Sequence, residues 1–232
     1  MKKILLYLFL IFITLCSYGC TRDNSDAVKF KKEYESLNNK KNSHGEINRK
    51  ISINKHNSIK YSDASEIVEM MENNKTFIVY FGFSECPWCR SVVPTLLDVA
   101  NDLEINTIYY VDILNIRDEI TVGANNEMKT TKKGTKSYYK LLKLLDNVLD
   151  DYSIESKNGD KIDTFEKRIY APNVISVVDG KAMKLETGIS KKQTDPYMKL
   201  SKEMKKETYN KFKCSLKCLL ENKNVCTENS AC

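Results

Sequence analysis

The sequence predicts an α/β domain: a central mixed sheet flanked by helices, with a helical insertion and a cysteine-stapled C-terminal helical extension. Three observations carry this. Residues 76–81 and 105–113 are short runs rich in β-branched and aromatic side chains, which read as buried strands. Between them, Val92, Val93, Leu96, Leu97 and Val99 recur at helical spacing, giving a strand, helix, strand succession that favours a parallel pair. At the junction of the first strand and that helix stands Cys86-Pro87-Trp88-Cys89.

The N-terminus reads as an export leader spanning 1–20. Lys2 and Lys3 precede an unbroken apolar run over 4–15, too short for a membrane span of about 20 residues. Ser17-Tyr18-Gly19-Cys20 resembles a bacterial lipobox, which makes Cys20 the expected lipidation site. The chain is accordingly expected outside the cytoplasm, held to the outer face of a bacterial cytoplasmic membrane by a lipid or by the uncleaved leader. Residues 21–50 are rich in Lys, Asn, Ser and Glu with little apolar periodicity, and read as a flexible tether. His44 and His56, the two histidines, lie in or near it and are not catalytic candidates.

The folded domain is expected over 51–198. Residues 59–61 give a short strand, Ser62 and Asp63 offer helix caps, and Ile67, Val68, Met70 and Met71 form the apolar side of a helix ending at Asn73-Asn74. The sheet strand 76–81, the helix from Cys86 to about Leu103 and the strand at 105–113 follow. Residues 114–168 form an insertion: a polar stretch to Gly134, a core stripe of Tyr138, Leu141, Leu142, Leu144, Leu145, Val148 and Leu149, and a hairpin or long loop over 153–166. The insertion is read as a packed embellishment, with the shaping of a groove near the cysteines as the alternative. Of 232 residues, 41% are hydrophobic and 29% charged, ordinary for one domain with extensions. The formal charge of +6, two units of it in the leader, is too dispersed for nucleic-acid binding.

Two thiols where a strand gives way to a helix are placed for redox chemistry. Backbone N–H groups at a helix N-terminus stabilise an anion, and a cysteine there has its pKa lowered from about 8.5 to about 3.5–7.5. Cys86 is therefore the candidate nucleophile, and Cys89, one turn on, the thiol that attacks a mixed disulfide on Cys86. A structural disulfide or half a zinc site are the competing readings. Zinc wants loop-borne ligands in matched halves, whereas Pro87 here opens a helix after a core strand, so no metal is expected.

These residues resemble the thioredoxin superfamily. Cys86-Pro87-Trp88-Cys89 with Pro94 five positions later is similar to that family's active-site motif and kinked helix, and residues 170–181 resemble its cis-proline loop, the following strand, a hairpin turn and the next strand. Gly188 falls where the family places a glycine before its last helix. The resemblance implies a cis peptide before Pro172 and substrate contacts from Pro87, Trp88, Ala171 and Pro172. It also implies thiol–disulfide exchange needing no cofactor beyond the redox-active disulfide. Two positions depart from it: Tyr80 stands where thioredoxins carry a buried aspartate, so protons must be handled otherwise, and Glu85 replaces the usual tryptophan. Glu85 should oppose ionisation of Cys86 while Arg90 favours it. Residues 59–197 also resemble bacterial thioredoxin-like proteins labelled bacteriocin transport accessory proteins. The implied partners are exported proteins or peptides with thiols or disulfides, and an unidentified electron-exchange partner. The competing expectation is a non-catalytic peptide-binding module whose Cys86–Cys89 disulfide is structural.

The extension, 199–232, carries Cys214, Cys218, Cys226 and Cys232. Asp195-Pro196 is expected to open a helix with Cys214 and Cys218 on one face. Cysteines at i and i+4 of a helix bond each other poorly, so each is expected to pair across a turn at 222–224, chain reversal favouring Cys218–Cys226 and Cys214–Cys232. Such bridges contribute about 2–4 kcal/mol each and would staple a helical hairpin with little core of its own. A second redox pair and a four-cysteine zinc site are the alternatives.

Overall fold

A computed structural model describes residues 25–42, 45–123, 127–156 and 159–220. The leader with Cys20, the side chain of Cys218, and Cys226 and Cys232 lie outside the described residues.

A five-stranded mixed sheet forms the centre, in the order β1 (Ile59–Tyr61), β3 (Ile108–Asp112), β2 (Phe77–Gly82), β8 (Asn173–Val178), β9 (Lys181–Glu186). The first three strands are parallel, with Tyr80 beside Tyr110; β8 runs antiparallel to β2, with Tyr80 beside Val174, and β9 antiparallel to β8. All six residues of β2 are buried, as a central strand covered on both faces requires. Successive residues point to opposite faces. Ile78, Tyr80, Tyr110 and Val174 join one apolar cluster, while Phe77, Val79, Phe81, Val111, Ile175 and Val177 join the other.

The first face is covered by α3 (Pro87–Asp102), through Val92, Val93, Leu96 and Val99, and by α5 (Lys202–Leu220), through Phe212 and Leu216. The second is covered by α2 (Ala64–Glu72) and α4 (Lys136–Leu144), which pack on each other. Three helices start on a capping side chain, of which Asp63 was the one expected. Asp63 accepts from the N–H groups of Ser65 and Glu66, Thr135 from that of Tyr138, and Cys86 caps α3 ahead of Pro87. Pro94 lies inside α3 and has no N–H to give to the Arg90 carbonyl. The turn between β8 and β9 places Asp179 and Gly180 at positive φ, and a Cβ at Gly180 would lie 2.1 Å from the Met71 carbonyl oxygen, so glycine alone fits.

Three expectations are corrected. The segment read as a tether is folded from its fifth residue: α1 (Ser25–Glu35) buries Ala27, Phe30 and Tyr34 completely, the two aromatic rings against Ile59, Tyr80 and Tyr110, so the domain does not begin at residue 51. Its buried apolar residues sit at i, i+3 and i+7, one face of a helix whose other positions are polar except for the exposed Val28. The helix expected from Pro196 starts at Lys202 instead, where the Ser201 hydroxyl accepts from the Met204 N–H, and 195–198 form a turn. Finally, α5 is not short of core: it packs on α3, β8 and β9, and its Phe212 ring occupies the space that a Cβ at Gly188 (φ 71°) would enter at 2.2 Å, while the turn expected at 222–224 lies outside the described residues.

The insertion holds the expected core stripe, with Tyr138, Leu141, Leu145 and Leu149 buried, and the expected second hairpin, β6 (Asp151–Glu155) with β7 (Lys161–Lys167). Its polar first part is also a hairpin, β4 (Glu119–Val122) with β5 (Met128–Lys132). Both are tied down by a buried ion pair in which Arg168 donates to the Asp118 carboxylate at 2.7 Å and to its carbonyl at 3.0 Å. Burial makes this pair a constraint on geometry, since desolvation offsets much of its Coulomb gain. Among the described residues no helix is long and apolar enough to cross a membrane.

Candidate active site

β2 ends at Gly82, and the loop to α3 turns back on itself through a bond from the Cys86 N–H to the Phe83 carbonyl. This sets Cys86 at the helix cap with φ −66° and ψ 116°, where its Sγ accepts the Cys89 N–H at 3.2 Å. Facing it, the Ala171–Pro172 peptide is cis, and Cys86 Sγ donates to the Ala171 carbonyl oxygen at 3.3 Å. Cys86, Cys89, Ala171 and Pro172 are thus brought together from two separate strand ends, and Pro87 and Trp88 are half-buried beside them. Both thiols are free.

The two sulfurs differ in electrostatic setting. The Cys86 thiol is held below its ordinary value, chiefly by a hydrogen bond from the Cys89 thiol, then by the N–H groups of Cys89 and Trp88 and the charge of Arg117; these outweigh the opposing effect of burial. Burial first, then the hydrogen bond and charge of Cys86, push the Cys89 thiol well up, with the Tyr80 hydroxyl pulling it back. A nucleophile and a resolving thiol are therefore distinguished by their surroundings alone.

The cation near Cys86 is not the one the sequence suggested. Arg90 is completely buried on α3 and its guanidinium is spent on the N-terminal segment: it donates to the carbonyls of Tyr34, Ser84 and Arg49 and to Asn38 Oδ1. Arg117, at the start of the insertion, takes that part, lying over the Phe83 ring 5.4 Å from its centroid. Nothing in the spacing of the sequence marks Arg117, because the insertion sets its place. Glu85 is exposed, and the largest influences on Cys86 come from other groups.

Beside the Cys86 loop runs an open groove of about 320 Å³, lined by Glu33, Leu37, Phe83, Glu85, Asp112 and Leu114. In the same buried cluster as the dithiol, the hydroxyl of Tyr80 meets one that motif reading missed, that of Tyr34, 2.8 Å away. Tyr34 comes from α1; the signal for it was the Ala27, Phe30, Tyr34 spacing. On α5, Cys214 is disulfide-bonded. Among the described residues no three His, Cys, Asp or Glu side chains gather as metal ligands. No protein-family model matches this chain, and no curated protein matches it by sequence.

Proposed function

We propose that the protein is an extracytoplasmic thiol–disulfide oxidoreductase of thioredoxin-like build, acting on cysteines of exported proteins or peptides. The observation that carries this reading is the unequal pair. Cys86 Sγ sits at a helix cap with its thiol favoured as the anion, 3.3 Å from the carbonyl before a cis proline, and the Cys89 thiol is held neutral one turn behind it. The succession of cis Pro172, β8, the Asp179-Gly180 turn, β9, Gly188 and α5 supports the family resemblance.

The Cys86 thiolate attacks one sulfur of a substrate disulfide. The substrate S–S bond breaks, a Cys86–substrate disulfide forms, and the other substrate sulfur leaves as a thiolate that takes up a proton. Cys89 then attacks Cys86 Sγ, closing the Cys86–Cys89 disulfide and releasing the second substrate thiol. The reverse order oxidises a substrate dithiol. The pair carries two electrons, exchanged with an external dithiol or disulfide partner, and no dissociable cofactor is required. Ala171 and Pro172, with Pro87 and Trp88 beside them, form the edge along which a substrate backbone lies. Lipidation at Cys20 would keep this chemistry at the membrane surface.

A second reading, a peptide-binding module with an inert disulfide, draws on burial: Cys86 is only 4% exposed and Cys89 not at all. Insulin reduction by dithiothreitol separates the two. The oxidoreductase accelerates it and Cys86→Ser abolishes the acceleration; a wild-type chain with no effect is the binding module.

A further inference from the structure

Tyr80 on β2 and Tyr34 on α1 are both completely buried, and their hydroxyls are hydrogen-bonded at 2.8 Å. Tyr80 and Tyr34 share one buried cluster with Cys89, and the Tyr80 hydroxyl pulls the Cys89 thiol's pKa down against the upward effect of burial. Tyr110 stacks on Tyr80 with centroids 5.4 Å apart and ring planes at 22°, but sends its own hydroxyl to the Glu33 carboxylate at 3.1 Å. Phe30 packs against Tyr34, Tyr80 and Tyr110. A Cβ at Gly82 would fall 2.2 Å from the Tyr80 hydroxyl oxygen, so the glycine ending β2 leaves room for that group.

Proton counting gives the pair a direction. Two phenols carry two O–H donors, and the bond between them uses one. The other must find an acceptor, because a buried hydroxyl donor without a partner is costly. When Tyr34 donates to Tyr80, the Tyr80 proton is left over, and Cys89 Sγ is the sulfur in the same buried cluster that the Tyr80 hydroxyl influences. The charged and titratable groups about the pair are Cys86, Cys89, Tyr110 with Glu33 behind it, and the Arg90 guanidinium on the Tyr34 carbonyl.

Resting on the dithiol reading above, we infer that Tyr80 is a catalytic hydrogen-bond donor to the Cys89 sulfur in the resolving step, and that Tyr34, carried in by the N-terminal helix, is the positioning residue that fixes that bond's direction. As Cys89 Sγ attacks Cys86 Sγ, its proton passes to the departing substrate thiolate. The negative charge that develops on Cys89 in a water-poor interior is met by the Tyr80 O–H. Neither phenol changes its proton count, so the chain needs no outlet to solvent. The site thus does with a neutral donor what a buried carboxylate would do as a base.

The test is a stopped-flow reaction of the reduced full chain with 5,5′-dithiobis(2-nitrobenzoate), with the signal of Cys86→Ser subtracted. Attack by Cys86 releases one thionitrobenzoate and closure by Cys89 a second. Tyr80→Phe should lower the ratio of second-phase to first-phase rate about ten- to hundredfold, the worth of a hydrogen bond to a charged group, and move the second-phase pH midpoint upward. Tyr34→Phe should lower the ratio less and move the midpoint the same way. An unchanged ratio in Tyr80→Phe, or a fall without a shifted midpoint, overturns the role. Should Tyr80→Phe lose its fold by circular dichroism, Tyr34→Phe decides by the same two readouts. A Cys86→Ser signal that matches the wild-type one, so that nothing is left after subtraction, defeats the dithiol reading itself, a distinct failure.

Discussion

Arg90 grips the carbonyl oxygen of Arg49 with two nitrogens of its guanidinium, Nη2 at 2.7 Å and Nε at 3.2 Å. With its bonds to Tyr34 and Asn38, this makes the residue after Cys89 the clasp that closes the N-terminal segment onto α3.

Arg90→Ala orphans several buried acceptors and opens a cavity, at a cost of about 3–5 kcal/mol. At about 2–4 °C per kcal/mol, the melting temperature by circular dichroism should fall by about 6–20 °C. Arg90→Lys should recover only part, because an ammonium cannot span the same fork of acceptors. A drop of less than about 2 °C for the alanine variant would show that the clasp carries no stability.

Site-resolved alkylation of the reduced protein with iodoacetamide should label Cys86 below the ordinary thiol range and leave Cys89 unlabelled there, following the lowered and raised directions of their pKa values. Arg117→Ala should slow Cys86 labelling at acidic pH about two- to fivefold, the effect of losing about 0.5–1 kcal/mol of partly screened attraction. Stability of the reduced form follows with opposite signs. The Cys86 contribution is present above the unfolded value of about 8.5 and lost as pH falls through its lower folded value. That of Cys89 is present below about 8.5 and lost as pH rises through its higher folded value. Labelling of Cys89 ahead of Cys86 would reverse their assigned roles.

Cys89→Ser, which retains the nucleophile and lacks the resolving thiol, should accumulate mixed disulfides with exported proteins, seen as high-mass bands that vanish on reduction. Cys86→Ser should not. Equal trapping by both would exclude the division of labour between the two thiols.

Deleting residues 212–232 removes Phe212 and Leu216, both completely buried, and should unfold the domain, since each large core side chain contributes about 2–5 kcal/mol. Cys214→Ser tests the tail's cross-link alone: a bridge worth about 2–4 kcal/mol implies a fall in melting temperature of about 4–16 °C. A deletion variant that melts near the wild-type temperature would mean α5 is dispensable to the core.

The dithiol and the strand before it were legible because each rests on local chemistry, an apolar run and a helix start, whereas the cis Ala171–Pro172 peptide was expected only through the family resemblance, an X-Pro step by itself reading equally as an ordinary loop. Helix α1 was not, because its stripe of Ala27, Phe30 and Tyr34 is thin among lysines and its burial depends on Tyr80 and Tyr110, far along the chain. The same holds for Arg90 and Arg117. Their neighbours in sequence suggest one set of roles, and only the chain path shows which of the two guanidinium groups faces Cys86. The tail was misjudged because its cysteines drew attention from Phe212 and Leu216, whose spacing already marked a core-facing helix.

The start of α1 at Ser25 also bears on reach. If Cys20 carries a lipid, five residue steps lie between the anchor and the folded body, at most about 18 Å of chain. That is less than the thickness of the bilayer's hydrocarbon core, about 30 Å. The dithiol could not sweep a periplasmic or wall volume for clients. It would work as a fixed station on the lipid surface, encountering exported chains as they emerge beside it, and lengthening the 21–24 stretch would widen its range without touching its chemistry.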